Sequence, residues 1–108
     1  MSKIDVLTDK EVLALKQEPT EELTIIDFFA SWCRPCQIML PILEGFTEEY
    51  KIVKVDVDRC TEAVASYGIR GIPTLVAIKN GNVLDSITGN QTKEDLQEWF
   101  KSVEDKAN

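Results

Sequence analysis

Apolar residues in this chain form short continuous runs and longer stretches with helical spacing, and each kind predicts a different element. Near-continuous runs at 23–30 and 52–57 are typical of strands that are covered on both faces. Runs at 74–79 and 83–87 flank Asn80-Gly81, which is a strong signal for a two-residue hairpin. These four runs predict the central part of a β-sheet.

Two helices are predicted by capping boxes, in which a threonine and an acidic residue three positions later bond each other's backbone. Thr8-x-x-Glu11 predicts a helix to about residue 16, which 18–20 would end. Thr92-x-x-Asp95 predicts the last helix, and the tail at 104–108 is expected to fray. The apolar face of this last helix is formed by Leu96, Trp99, Phe100 and Val103.

The longest helical pattern follows a pair of cysteines and predicts a helix that reaches residue 50. Its single apolar stripe consists of Met39, Ile42, Leu43, Phe46 and Tyr50. Pro41 lies inside this pattern and is expected to kink the helix, because proline has no backbone N–H to donate. A shorter helix is predicted at 61–67, and Gly68 would end it.

The order of these elements predicts an α/β fold in which residues 1–108 form one domain. Helices and strands alternate before the hairpin, which implies a mixed sheet with helices on both faces. A short first strand is also expected at 4–7. The chain has 108 residues, of which 44% are apolar, and this is enough for one hydrophobic core.

Composition argues against several classes of function. The net charge of −7 repels nucleic acid and anionic lipid, so neither is expected as a partner. Histidine is absent, which excludes imidazole nucleophiles, and three cysteines alone do not complete a zinc site, so no metal is expected. The N-terminus does not resemble a secretory signal, and no apolar stretch approaches the roughly 18 residues of a membrane span. A reducing, cytoplasmic location is therefore expected.

Candidate chemistry is concentrated in Trp32-Cys33-Arg34-Pro35-Cys36, which lies between a predicted strand and a predicted helix. The unpaired N–H groups and partial positive charge of a helix N-terminus favour a thiolate there. Three positions are nearly one helical turn, so Cys33 and Cys36 share a face and are able to form a disulfide. The motif therefore predicts a redox-active pair.

Several spaced blocks together resemble the thioredoxin family over about residues 24–100. These blocks are Asp27-Phe28-x-Ala30-x-Trp32-Cys33-x-Pro35-Cys36, Pro41, Lys54, Tyr67-Gly68-Ile69-Arg70-Gly71-Ile72-Pro73-Thr74, Asn80-Gly81 and Gly89. The resemblance implies a thioredoxin-like fold, with a mixed five-stranded sheet flanked by four helices. It also implies a monomeric protein-disulfide reductase without a bound cofactor. An NADPH-dependent thioredoxin reductase would recharge it, and disulfide-containing client proteins would be its other partners.

Each cysteine has an expected role and an alternative. Cys33, at the exposed start of the helix, is expected to be the attacking thiolate, and Cys36, one turn further, the resolving thiol. Pro35 fixes φ in the first helical turn and should hold the pair at bonding distance. The alternative is a pair of core cysteines. Cys60 is expected to be a small, semi-buried apolar residue, with a regulatory thiol as the alternative.

Two charged residues are expected to assist the cysteines. Asp27 interrupts an apolar strand, and burial of its carboxylate should raise its pKa. The resemblance assigns Asp27 a proton-transfer role near Cys36, and Lys54 on the next strand would tune the pKa of Asp27. As alternatives, Asp27 points to a wet edge or only pairs with Lys54, and Lys54 is an ordinary surface lysine.

A client-binding surface is implied around Trp32, Gly71, Ile72, Pro73 and Gly89. Ile72-Pro73 resembles the cis-proline turn of the family, and the Ile72 backbone would pair with an extended client segment. Trp32 would shield the site and present a flat contact surface, and Gly89 would leave room for the client. The alternatives are a core tryptophan, a trans proline turn and a glycine that only ends a strand.

Two positions depart from the family pattern. Arg34 stands where glycine is usual, and Gln37 stands where lysine is frequent. A positive charge at roughly 7 Å in a largely aqueous setting favours the Cys33 thiolate by on the order of 0.5–1 kcal/mol. Arg34 and Pro35 are therefore expected to tune the redox couple, and Arg34 also to favour acidic partners. The alternative is that Arg34 is merely a solvated side chain.

Three functions compete at this point. The first is a general reductase of protein disulfides that uses Cys33 and Cys36. The second is an oxidoreductase with a narrow partner set, for which Arg34 would determine specificity. The third is a non-redox binding module that uses the same flat surface, with incidental thiols.

Overall fold

The computed structural model describes residues 4–18 and 20–108 and contains four helices and five strands within those ranges. The elements in chain order are β1 (Asp5–Val6), α1 (Asp9–Gln17), β2 (Thr24–Phe29), α2 (Arg34–Glu44), β3 (Lys51–Asp56), α3 (Thr61–Tyr67), β4 (Thr74–Lys79), β5 (Asn82–Thr88) and α4 (Lys93–Ala107). Every predicted element is present, including the short first strand. Both capping boxes also form, at Thr8 and Thr92.

The strands lie in one mixed sheet in the order β1-β3-β2-β4-β5. β3 pairs in parallel with β1 and β2, whereas β4 pairs antiparallel with β2 and β5. Asn80 and Gly81 join β4 to β5 with positive φ angles of 54° and 77°, which a two-residue hairpin of this kind requires. The predicted mixed sheet and hairpin are therefore confirmed.

Helices cover both faces of the sheet. On one face, α2 and α4 pack on β2 and β4 through a cluster that includes Met39, Leu43, Leu96 and Phe100. On the other face, α1 and α3 pack on β2, β3 and β4. Trp99 of α4 is 7% exposed, and its indole Nε1 donates to Asp85 of β5 at 3.2 Å.

The helix after the cysteines is shorter than its apolar pattern predicts. α2 ends at Glu44, and turns follow in which Phe46 N–H donates to Leu43 O at 2.9 Å. Phe46 and Tyr50 still pack against Phe100, with ring centroids 4.8 and 4.4 Å away. The expected helix over 45–50 was wrong because the turns bring the same apolar side chains to the core. Pro41 lies inside α2, and its expected kink stays a prediction.

The last helix ends later than expected, whereas α1 ends close to residue 16, as expected. α4 continues to Ala107, so the expected fraying at 104–107 was wrong. Lys79 Nζ donates to Ala107 O at 2.9 Å, and Lys106 forms an ion pair with Asp85 at 3.2 Å, which hold this last part on the sheet. α1 ends at Gln17, and Pro19, one of the three residues expected to end it, lies outside the described residues.

Within residues 4–18 and 20–108, no helix is both long and apolar enough to cross a membrane.

Candidate active site

The cysteine pair lies where β2 leads into α2. Cys33 is the N-cap of α2, with Pro35 in the first turn, where its lack of an N–H costs no helical hydrogen bond. The Cys36 N–H donates to Cys33 Sγ at 3.3 Å. The sulfur of Cys33 therefore takes the place of the usual N-cap side-chain oxygen, where backbone N–H groups stabilise negative charge.

Cys33 and Cys36 form a disulfide, with Cα atoms 5.3 Å apart. Each cysteine is only 4% exposed, and the pair packs with Ala30 and the half-buried Ile72. The expectation that Cys33 is exposed was therefore wrong, because its neighbours cover the sulfur while Trp32, Arg34 and Pro35 point outward.

Asp27 is the one buried carboxylate among the described residues. It is 2% exposed in β2, and its Oδ1 has no hydrogen-bond partner. Desolvation raises its pKa from 3.8 to about 7, although the Lys54 charge acts in the opposite direction. The wet-edge alternative was wrong, and a carboxyl with a pKa near neutrality is suited to exchange protons at the pH of the cell.

Lys54 faces Asp27 from the neighbouring strand, where the two residues are register partners. Lys54 is half-buried, and its Nζ lies 5.2 Å from the centroid of the Phe29 ring. No ion pair joins Lys54 to Asp27 in the described part of the chain, so the alternative of simple pairing is not supported. The ammonium lowers the pKa of Asp27 through space.

A cavity of about 100 Å³ connects Asp27 with the second cysteine. Its lining residues are Asp27, Phe29, Ala30, Ser31, Cys36, Gln37, Leu40 and Lys54. Two of these lining residues are joined by a hydrogen bond, in which Gln37 Nε2 donates to Ser31 O at 2.6 Å. The site thus brings a carboxyl of raised pKa and Cys36 to one space, with room for a water molecule.

The Ile72-Pro73 peptide bond is cis, so the trans alternative was wrong. Pro73 is buried and its carbonyl accepts the Gly89 N–H at 2.8 Å, while Ile72 is half-buried beside the disulfide. Gly89 has a φ of +97°, which other residues rarely adopt. At Gly71 an added Cβ would lie an ordinary 3.6 Å from Thr88 Cγ2, so space does not require glycine there.

Trp32 is 68% exposed, so the core alternative was wrong. Its indole Nε1 donates to Asp58 Oδ2 at 2.8 Å. Sequence reasoning missed Asp58, although a signal exists. Asp58 follows β3 and Trp32 follows β2, and these parallel strands end at the same edge of the sheet.

A surface groove of about 170 Å³ runs from Trp32 to Ile72. Its lining consists of Trp32, Val57, Val64, Ile69, Arg70, Gly71 and Ile72. No hydrogen-bond partner of the Ile72 backbone occurs among residues 4–18 and 20–108. The groove therefore offers an apolar floor beside a free backbone segment next to the disulfide.

Cys60 lies apart from this site. It is 3% exposed, and its Sγ is 3.8 Å from Leu7 O, in the core that α1 and α3 share. Burial and the nearby Asp9 and Asp56 carboxylates raise the pKa of its thiol. These surroundings support the expectation of a small buried residue.

Comparison with known proteins agrees with this geometry. The sequence model of the thioredoxin family matches residues 4–102. Thioredoxin of Listeria monocytogenes is 45% identical over 87 residues, which cover 77% of this chain and 84% of the relative. Thioredoxin of Bacillus subtilis is 42% identical over 85 residues, which cover 75% and 82%.

Solved structures show the same similarity. Reduced Schistosoma mansoni thioredoxin superposes with a TM-score of 0.82 at 32% identity, over 94% of this chain and 99% of that chain. Fasciola hepatica thioredoxin superposes with a TM-score of 0.80 at 35% identity, over 92% and 98%. This chain therefore belongs to the thioredoxin family of thiol–disulfide oxidoreductases.

Proposed function

We propose that this oxidoreductase acts as a single domain that reduces disulfides of client proteins in the cytoplasm, and that an NADPH-dependent thioredoxin reductase recharges it. One observation carries the proposal: the Cys33–Cys36 disulfide caps α2 beside a groove that has an apolar floor and a free backbone segment. That arrangement provides both the redox couple and a place for the client.

In the first step, the Cys33 thiolate attacks one sulfur of a client disulfide. A mixed disulfide forms, and the second client sulfur leaves as a thiolate, which takes a proton from solvent. The α2 N-terminus, with the Cys36 N–H aimed at Cys33 Sγ, stabilises the attacking thiolate. The Ile72 backbone pairs with the extended client, and Trp32 covers the reacting sulfurs.

In the second step, Cys36 resolves the mixed disulfide. Its thiol transfers a proton to the Asp27 carboxylate across the shared cavity, and the resulting thiolate attacks Cys33 Sγ. The Cys33–Cys36 disulfide forms, the bond between Cys33 and the client breaks, and the client sulfur that was bonded to Cys33 leaves as a thiolate and takes a proton from solvent. The reductase then returns two electrons and two protons, which restores both thiols.

The first test measures the reduction of a protein disulfide. The protein, supplied with dithiothreitol, should accelerate the reduction of insulin, measured by turbidity, and Cys33→Ser should abolish the acceleration. Cys60→Ser is the matched control and should leave it unchanged. Absence of acceleration by the unmodified protein would contradict the proposal and favour the non-redox binding module.

A narrow partner set is the second candidate, because Arg34 is exposed directly beside Cys33. Cys36→Ser should hold clients as stable mixed disulfides with Cys33. Identification of the captured proteins by mass spectrometry separates the two candidates. Many unrelated clients support the general reductase, whereas one or two dominant clients support the specialised one.

A further inference from the structure

Two of the three arginines of this acidic chain, Arg34 and Arg70, lie at the surface around the disulfide. Arg34 follows Cys33, Arg70 lines the groove between Trp32 and Ile72, and Arg59 follows Asp58, the hydrogen-bond partner of Trp32. The net charge of the whole chain is −7, and its other basic residues are nine lysines. Arg34 and Arg70 thus place two positive charges where a client would bind.

Two of these guanidinium groups are available to a partner. Arg34 and Arg70 are exposed, and in the described part of the chain neither guanidinium group forms an ion pair or a hydrogen bond. Arg59 differs, because its Nε lies 3.9 Å from Asp56 Oδ2. An unpaired guanidinium has five N–H donors in a planar fork that fits a carboxylate.

The acidic groups of the same surface are already engaged. Asp58 accepts the Trp32 indole N–H, Asp56 is shared by Arg59 and the Asp58 backbone N–H, and Asp27 is buried beneath the surface. Arg34 and Arg70 are therefore the charges that a client meets without a local counterion. The remaining groove lining is apolar or glycine.

We infer that Arg34 and Arg70 select clients in which an acidic residue lies close in sequence to the reactive cysteine. The inference rests on the proposed reduction of client disulfides and adds the class of client segment. An apolar client side chain lies in the groove, and the neighbouring carboxylate pairs with a guanidinium. Such pairs at a solvent-exposed rim act mainly on specificity and association rate.

The test compares three peptides that differ only beside their single cysteine. Each carries two aspartates, two asparagines or two lysines, and each cysteine is joined to the chromophore 5-thio-2-nitrobenzoate. Cys33 attacks the peptide sulfur and the coloured thiolate leaves, so stopped-flow absorbance gives the second-order rate. The reduced protein should react fastest with the aspartate peptide and slowest with the lysine peptide, and high salt should narrow the difference.

Variants of the two arginines test whether they cause the preference for the aspartate peptide. Arg70→Gln and Arg34→Gln should each lower the aspartate-to-lysine rate ratio about two- to fivefold. Because both rates in the ratio are measured with the same variant, a change in the reactivity of Cys33 itself cancels, and the asparagine peptide reports that change separately. The control Lys101→Gln removes an exposed positive charge on α4, outside the groove lining, and should leave the ratio unchanged.

The outcomes separate the two proposals. A ratio that is near one, or that neither arginine variant lowers, would overturn selection by charge while leaving disulfide reduction intact. A failure to react with any of the three peptides would overturn the proposed function itself.

Discussion

At the scale of the residue, Asp27 is the group whose chemistry depends most on its surroundings. Its carboxyl is 2% exposed and has a pKa of about 7, so near neutral pH it is present in both protonation states. The proposed function of Asp27 as a base needs the carboxylate, whereas burial of the group favours the neutral acid. Its activity as a base should therefore increase as pH rises through 7.

Removal of this carboxyl gives a kinetic prediction. Asp27→Ala should slow the resolving step at neutral pH, because Cys36 loses its base, and less at high pH, where Cys36 ionises unaided. The step is measured by single-turnover release of a client from the mixed disulfide across the pH range. Asp27→Asn is the size-matched control and should behave the same. A defect that is uniform in pH, or no defect, would argue against the base role.

Arg34 gives a prediction about the potential of the couple. Its positive charge favours the thiolate and hence the reduced form, so Arg34→Gly should lower the potential by about 10–20 mV. The variant is equilibrated with known ratios of reduced and oxidised glutathione. Arg34→Gln keeps a helix-forming side chain and should show the same direction. A potential that stays unchanged or rises would contradict this reasoning.

The sequence predicted which residues form the site better than it predicted their exposure and their hydrogen bonds. The cysteine pair and the buried Asp27 follow from the motif and from a charge inside an apolar strand. The burial of Cys33, the bond from Trp32 to Asp58 and the bond from Gln37 to Ser31 depend on side-chain packing between separate segments. The spacing of residues within one segment does not predict contacts between separate segments.

At the scale of the element, α3 depends on another helix for its N-terminal cap. Cys60 occupies the N-cap position and makes no capping bond with its side chain. Asp9, the first residue of α1, supplies the acceptors instead, with Oδ1 and Oδ2 receiving the Ala63 and Glu62 N–H groups at 2.8 and 3.3 Å. A carboxylate at a helix N-terminus also complements the helix dipole.

This shared cap should be measurable as stability. Asp9→Ala removes both acceptors and should lower the free energy of unfolding by about 1–2 kcal/mol, measured by urea denaturation. Asp9→Asn keeps an amide oxygen that can accept one bond and should lose less. Equal stability of all three proteins would show that Asp9 does not contribute as a cap.

Element types were predictable, whereas some ends were not. Apolar periodicity shows which residues face the core, and Phe46 and Tyr50 do so, but it does not show whether they reach the core from a helix or from turns. Likewise, α4 extends to Ala107 because Lys79 and Asp85 of other elements hold it. Such ends are determined by tertiary contacts.

At the scale of the whole molecule, Asp27 links stability to pH. Its pKa is 3.8 as an ordinary aspartate and about 7 in the fold, so the folded state binds the proton more tightly. The contribution of Asp27 to the free energy of unfolding should therefore be greatest below about pH 4. It should fall as the pH rises towards about 7. Stability falls because ionisation of a carboxyl that is removed from water is unfavourable.

A comparison with Asp27→Asn isolates this contribution. The asparagine side chain does not titrate, so the variant does not lose this stability as the pH rises. The free energy of unfolding of the variant minus that of the unmodified protein should therefore increase by on the order of 3 kcal/mol between about pH 4 and pH 7. Urea denaturation of both oxidised proteins measures the difference at each pH. Self-repulsion from the other charges affects both chains alike. A constant difference would mean that Asp27 is not desolvated in the folded state.

The two tryptophans of this chain lie in opposite environments. Trp32 is 68% exposed beside the disulfide, whereas Trp99 is 7% exposed in the core beneath α4. Indole emission shifts to longer wavelength in contact with water, so each ring provides a separate optical signal without any added label. A water-soluble quencher would reduce the emission of Trp32 first. The remaining emission, from Trp99, would then report on the unfolding of the core.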